Sequence, residues 1–250
     1  ELTAIQTRAI IRAAIEIYKN VEESVSVSLS SAPETSQLMP PSTPIRVKPC
    51  ILIPSVCSER EVEIIAAIIQ DETNKLLEAS DISTMHYRVG AAIDSPVACS
   101  HSAAITTQKG ISFIWFGMDH LTSCYMGFRS GDESMYMNTY IEEHILRRDP
   151  FKSVDPTGTG MLLDKTIIDC RTANKGIITG VYGSQAYDPS SVHFFDAIGV
   201  HYICCSPDRV PMAKLASAQS RIHVIARRTK EHEDTRHALM TSYPHWERSL

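Results

Sequence analysis

Short apolar runs and helix-spaced apolar residues alternate along most of this chain. The first pattern is helical. Leu2, Ile5, Ala9, Ile10, Ala13, Ala14 and Ile17 recur at mostly helical spacing, with Gln6, Arg8, Arg12 and Glu16 between them. Residues 24–44 are rich in Ser, Thr and Pro, include Pro33, Pro40, Pro41 and Pro44, and read as a long loop or insertion. Pro49 to Pro54 is a short buried strand bounded by prolines. Ser58 then caps a helix running to about Leu77, with Glu61 as its capping-box partner. His86 to Ile93 is the next strand and delivers Asp94 to a loop before Ser95-Pro96. A short helix covers Ser102 to Thr107.

Ile111 to Phe116 is a third strand, ending in the loop Gly117-Met118-Asp119-His120. An excursion from Leu121 to about Gly158 carries a helix around Asn138 to Arg148 and the turn Asp149-Pro150. Met161 to Arg171 is helical, and Ile177 to Val181 is a strand leading into Tyr182-Gly183-Ser184-Gln185. Asp188-Pro189 opens a helix, with Pro at its first position, that reaches about Gly199. In the last unit the strand His201-Tyr202-Ile203 meets Cys204-Cys205 and turns through Ser206-Pro207. A helix follows, with Val210, Met212, Leu215, Ala216 and Ala218 on it.

Strand and helix thus alternate about five times, which predicts an α/β fold with a parallel sheet and crossover helices. A closed (β/α)8 TIM-type barrel takes eight such units. The pattern therefore predicts about the last five βα units of a barrel over 1–222, followed by a charged tail over 223–250. The chain begins inside a helical pattern, which predicts a piece of something longer. Such folds gather their chemistry where the carboxyl ends of the strands meet the loops. That rule singles out Asp94, the pair Asp119-His120, the loop from Tyr182 and the thiols Cys204-Cys205.

Composition narrows the function classes. A net charge of -5 and a pI near 6.1 give no sign of a nucleic-acid or anionic-membrane partner. No apolar run approaches the roughly 20 residues of a membrane helix. The seven cysteines contain no C-x-x-C pairing, so neither a zinc ribbon nor a disulfide scaffold is signalled. Scattered thiols suit a reducing intracellular compartment, in the cytosol or an organelle.

Five stretches form an ordered series: Gln6-Thr7-Arg8-Ala9-Ile10, Tyr87 to Pro96, Asp149-Pro150-Phe151 with Gly158 and Gly160, Asp188 to Val192, and Cys205 to Pro211. The series resembles the C-terminal barrel of the pyruvate, phosphate dikinase family of phosphoenolpyruvate-utilising enzymes. The resemblance implies a barrel that holds pyruvate or phosphoenolpyruvate on Mg²⁺ and passes a phosphoryl group to or from a phosphohistidine. It places Asp94 at the first metal-ligand position and His120 at the second, where the family has Asp. Asp119, beside Met118, falls where the family has a substrate-contacting Asn. The family loop Cys-Gly-Glu-His-Gly-Gly reads Tyr182-Gly183-Ser184-Gln185-Ala186-Tyr187, which puts Gly183 and Ser184 at substrate-facing positions. Cys205 stands at the position of the proton donor.

Imidazole is a poor magnesium ligand, and the family's phosphate-binding arginines belong to earlier barrel strands. The reading that follows is a catalytically inactive barrel with a structural or interaction role. Its open side is expected to be covered by a partner protein or by an N-terminal part of the same protein. Two alternatives stay open: a divergent Mg-dependent phosphotransferase, or a regulatory domain that binds pyruvate or phosphoenolpyruvate without turnover. From the residues alone, Cys205 also reads as a small buried side chain and Asp94 as a cap or turn residue. Asp119-His120 reads as a plain loop pair, and Arg209 as an anchor of the closing helix through a carboxylate.

Overall fold

The computed structural model describes residues 1–30, 48–128 and 131–223. Helix α1 (Leu2–Ser30) packs against α2 (Glu59–Ala79), pinned by Arg8 Nη1 donating to Glu72 at 3.2 Å. The buried face of α1 is Thr7, Ile11, Ala14 and Ile15, rotated from the stripe expected, while Leu2, Ile5, Ile10 and Ile17 are exposed. The helix has more apolar residues than one neighbour can cover, so the contact selects among them. It also continues through 24–30, where a loop was expected, because the first proline comes only at Pro33. The rest of that expected loop, and the tail over 224–250, lie outside the described residues.

Five strands form one parallel sheet: β1 (Cys50–Ile53), β2 (Arg88–Ile93), β3 (Ile111–Gly117), β4 (Ile178–Tyr182) and β5 (Tyr202–Cys204). Their spatial order is their chain order. Right-handed crossovers between sequential parallel strands put every crossover helix on the same face. The core bears this out. Ile51, Ile53, Val89, Ala91, Ile93, Ile111, Ile114, Phe116 and Val181 join one apolar cluster with Val62, Ile69, Ile105, Leu163, Ile167 and Phe195 from the helices. A register shift after Val89 accommodates an extra β3 residue, so Ile111 and Ile114 can both serve that face. Sequential order with all helices outside is the arrangement of a TIM-type barrel, as the alternation predicts.

The other face carries Phe113, Trp115, Tyr182 and Tyr202. Ring centroids lie 6.3 Å apart for Phe113–Trp115, 5.9 Å for Trp115–Tyr182 and 5.4 Å for Trp115–Tyr202. Gly90 and Gly180 leave room for these rings. A Cβ at Gly90 would stand 2.3 Å from the Phe113 ring, and one at Gly180 2.5 Å from the Tyr202 ring.

Several helices differ from expectation. Ser58 is the N-cap residue of α2, but its hydroxyl makes no cap bond, and Glu61 accepts instead from the Cys57 amide at 2.7 Å. Ser95 caps an unexpected short helix α3 (Pro96–Ser100), ahead of α4 (Ser102–Thr106). Helix α5 (Met118–Met126) begins directly at the end of β3, where a loop was expected. Helix α6 (Glu133–Glu142) starts and ends earlier than expected, stopping before His144, whose φ is +58°. Helices α7 (Thr159–Ala173) and α8 (Pro189–Ala197) fall close to where the spacing puts them. A last helix, α9, covers 210–223, where the described residues end.

Candidate functional site

Strands β2, β3 and β4 end side by side, and each hands a polar side chain to the same space. Asp94 follows β2 and is 6% exposed. Its Oδ1 accepts from the Tyr182 hydroxyl at 2.9 Å and its Oδ2 from the Ser55 hydroxyl at 3.2 Å. Tyr182 ends β4, two strands away, so the bridge crosses over the end of β3. Gly117 permits it: a Cβ there would lie 2.6 Å from both Asp94 Oδ1 and the Tyr182 hydroxyl. Burial, and then the Asp94 and Asp119 carboxylates, hold the Tyr182 phenol above the ordinary tyrosine range, so it remains a donor.

Asp119 lies in the first turn of α5, not in a strand or loop. Both its oxygens accept from the Ser184 amide, at 3.1 and 3.0 Å, and Oδ1 also lies against the Ser184 hydroxyl. Gly183 brings that amide into place. Its φ is +120°, and a Cβ would stand 2.8 Å from Asp119 Oδ2, so only glycine suits the position. Behind the loop, buried Gln185 donates to Thr122 Oγ1 at 2.9 Å and to the Pro150 carbonyl at 2.5 Å, while its Oε1 has no partner among the described residues. His120, next on α5, donates from Nδ1 to the Asp94 carbonyl at 2.9 Å, with Cys124 Sγ at 3.6 Å from the same nitrogen. A histidine oriented this way often ligates a metal through Nε2. Among the described residues, though, no three His, Cys, Asp or Glu side chains are grouped to hold one.

The structure therefore brings Asp94, Asp119, His120, Gly183 and Ser184 together. Met118 is apart from them, because it is fully buried in the core cluster and offers the site no side chain. Cys205 follows β5 and lines a groove of about 430 Å³ beneath α9, with Phe195, Val200 and Ala213. Burial first, then Cys204 and Asp208, push its thiol upward, so it is protonated near neutrality. A second cavity of about 590 Å³, lined by Arg147, Arg148, Ser153 and Phe194, likewise has neither Asp94 nor Asp119 in its wall. Arg209 pairs at 3.1 Å with its own neighbour Asp208, both side chains exposed, so this ion pair does not anchor the closing helix as expected; its guanidinium instead lies 5.1 Å from the Tyr187 ring centroid. Two residues of the cluster had not been singled out by sequence reasoning for this contact: Ser55 and Tyr182, as hydroxyl donors. Ser55 lies two residues past the end of β1, so applying the strand-end rule to β1 would have flagged it.

A sequentially wound parallel sheet, with carboxylates and hydroxyls gathered beyond its strand ends, defines a TIM-barrel-type α/β domain. Residues 1–222 match the sequence model described as PEP-utilising enzyme, PEP-binding domain, and the chain belongs to that family. It is 30% identical over 223 residues to pyruvate, phosphate dikinase of Clostridium symbiosum, covering 89% of this chain and 23% of that protein. It is 32% identical over 219 residues to the chloroplastic dikinase of Flaveria trinervia, covering 88% of this chain and 20% of that one. The chain thus spans a quarter or less of the length of these relatives. Among solved structures, a citrate lyase from Burkholderia xenovorans aligns at 13% identity and a TM-score of 0.46, over 75% of this chain and 57% of that one. No helix among the described residues is long and apolar enough to cross a membrane.

Proposed function

We propose that this chain is a pseudoenzyme form of the phosphoenolpyruvate-binding barrel domain, without turnover, acting as a structural or interaction unit. The observation that carries the reading is the state of its acidic groups. Every carboxylate oxygen of Asp94 and Asp119 already accepts a hydrogen bond from this chain's own Ser55, Tyr182 or Ser184. Magnesium takes oxygen ligands in near-octahedral geometry. Here the second metal position is an imidazole, and the two carboxylates are turned toward internal donors. The residues present do not fit the ion, and no step is routed through it. The two sheet edges, at β1 and β5, are covered in this reading by another segment of the same protein or by a partner chain.

One observation favours a second reading, a divergent phosphotransferase. Cys205 holds the position of the family's proton donor, and its thiol is kept protonated. Calorimetric titration of pyruvate and of oxalate, each with Mg²⁺, separates the two. The expected result is no heat at millimolar ligand from a chain shown to be folded. Magnesium-dependent heat that disappears in Asp94→Ala would overturn the non-catalytic reading.

A further inference from the structure

We infer that Tyr182 does the electrostatic work a cation would do at this site, so that the acidic end of the sheet is closed by the protein itself. The inference rests on the reading just given and deepens it. A carboxylate as buried as Asp94 needs either a counter-charge or hydrogen-bond donors, since burying it bare would be strongly unfavourable. The donors to Asp94 come from strand ends across the sheet, Ser55 after β1 and Tyr182 at the end of β4, while Ser184, after β4, donates to Asp119. Tyr182 occupies the central place. Its hydroxyl reaches Asp94 Oδ1 at 2.9 Å over Gly117, where any Cβ would block the path. The ring is held from below by Trp115 at 5.9 Å, which fixes the hydroxyl in place. The result is a clamp tying the Asp94 and Asp119 ends of β2 and β3 to β4 without any ligand.

The clamp predicts a chain whose folding is indifferent to divalent ions but sensitive to one phenol oxygen. The test is a thermal-melting cycle of wild type, Tyr182→Phe, Asp94→Ala and the double variant, each with 10 mM Mg²⁺ and with EDTA. Tyr182→Phe keeps the ring against Trp115 and removes only the donor. It is expected to lower Tm by about 3–10 °C, the size of a hydrogen bond to a charged group in a chain of this length. The double variant is expected to melt no lower than the worse single variant, and Mg²⁺ to leave wild type unmoved. Additive losses, or no loss in Tyr182→Phe, would overturn the clamp while leaving the non-catalytic reading standing. A wild-type Tm raised by Mg²⁺ and restored by EDTA would overturn both. Should Tyr182→Phe not fold, Ser55→Ala, away from the aromatic face, removes the donor to the other Asp94 oxygen and reads by the same cycle whether internal donors rather than Mg²⁺ hold that carboxylate.

Discussion

His201, just before β5, shows how much one ring nitrogen can decide. Its Nδ1 accepts from the Thr179 amide at 3.0 Å, with the Thr179 hydroxyl at 2.9 Å. Arg171 stands nearby, donating to the Ile198 carbonyl at 3.2 Å and to the Gly199 carbonyl. Burial, and then the Arg171 charge, hold His201 below the ordinary histidine range. The native chain therefore takes up a proton there less readily than the unfolded chain, which does so below about pH 6.5. This contribution to stability is fully present above that pH and is lost as pH falls through the lowered native value. The urea midpoint of wild type should drop between pH 7.5 and 5.5, and His201→Gln should remove part of that drop. An unchanged pH dependence in the variant would refute the assignment. At this scale the sequence revealed identities but not partners. Asp94 is legible because it follows a buried run. Its donor Tyr182 lies 88 residues further on and meets it only because glycine stands between them at 117.

The elements are legible in proportion to how sharply their ends are marked. β1 sits between two prolines, and α8 opens on Asp188-Pro189, whose carboxylate accepts from the Ser191 amide at 2.9 Å and from the Ser190 hydroxyl at 2.7 Å. By contrast, α5 starts at Gly117 with no side-chain cap and leaves no mark in the sequence. Packing between elements gives a sharper test. The Cβ of Gly90→Ala would enter the ring of Phe113, which is 3% exposed and has no room to retreat. The substitution should cost about 1–3 kcal/mol by urea unfolding. Gly176→Ala, whose Cβ would meet nothing nearer than Asn174 Oδ1 at 3.6 Å, should stay within about 0.5 kcal/mol of wild type. Equal effects at both positions would mean that Phe113 can move aside.

At the scale of the molecule, the alternation of units disclosed a sheet wound in one direction, and five strands are what the described residues contain. What meets the sheet's two edges is not written in the pattern, because backbone pairing carries no signature of its partner. Among the described residues β1 pairs only with β2 and β5 only with β4, so neither outer edge is paired there. This 250-residue chain, studied alone, should therefore self-associate, its sedimentation coefficient rising with concentration. A single concentration-independent species at the monomer mass would count against open edges.

The aromatic face brings with it an optical property. Of the two tryptophans, Trp246 lies in the tail outside the described residues, while half-buried Trp115 stands on the helix-free side of the sheet with its Nε1 lacking a partner. With Trp246→Phe, the protein would carry a single fluorophore facing whatever closes over that side. Its emission would shift toward the blue as water is displaced from the indole, so the arrival of the proposed cover could be followed in real time without a label.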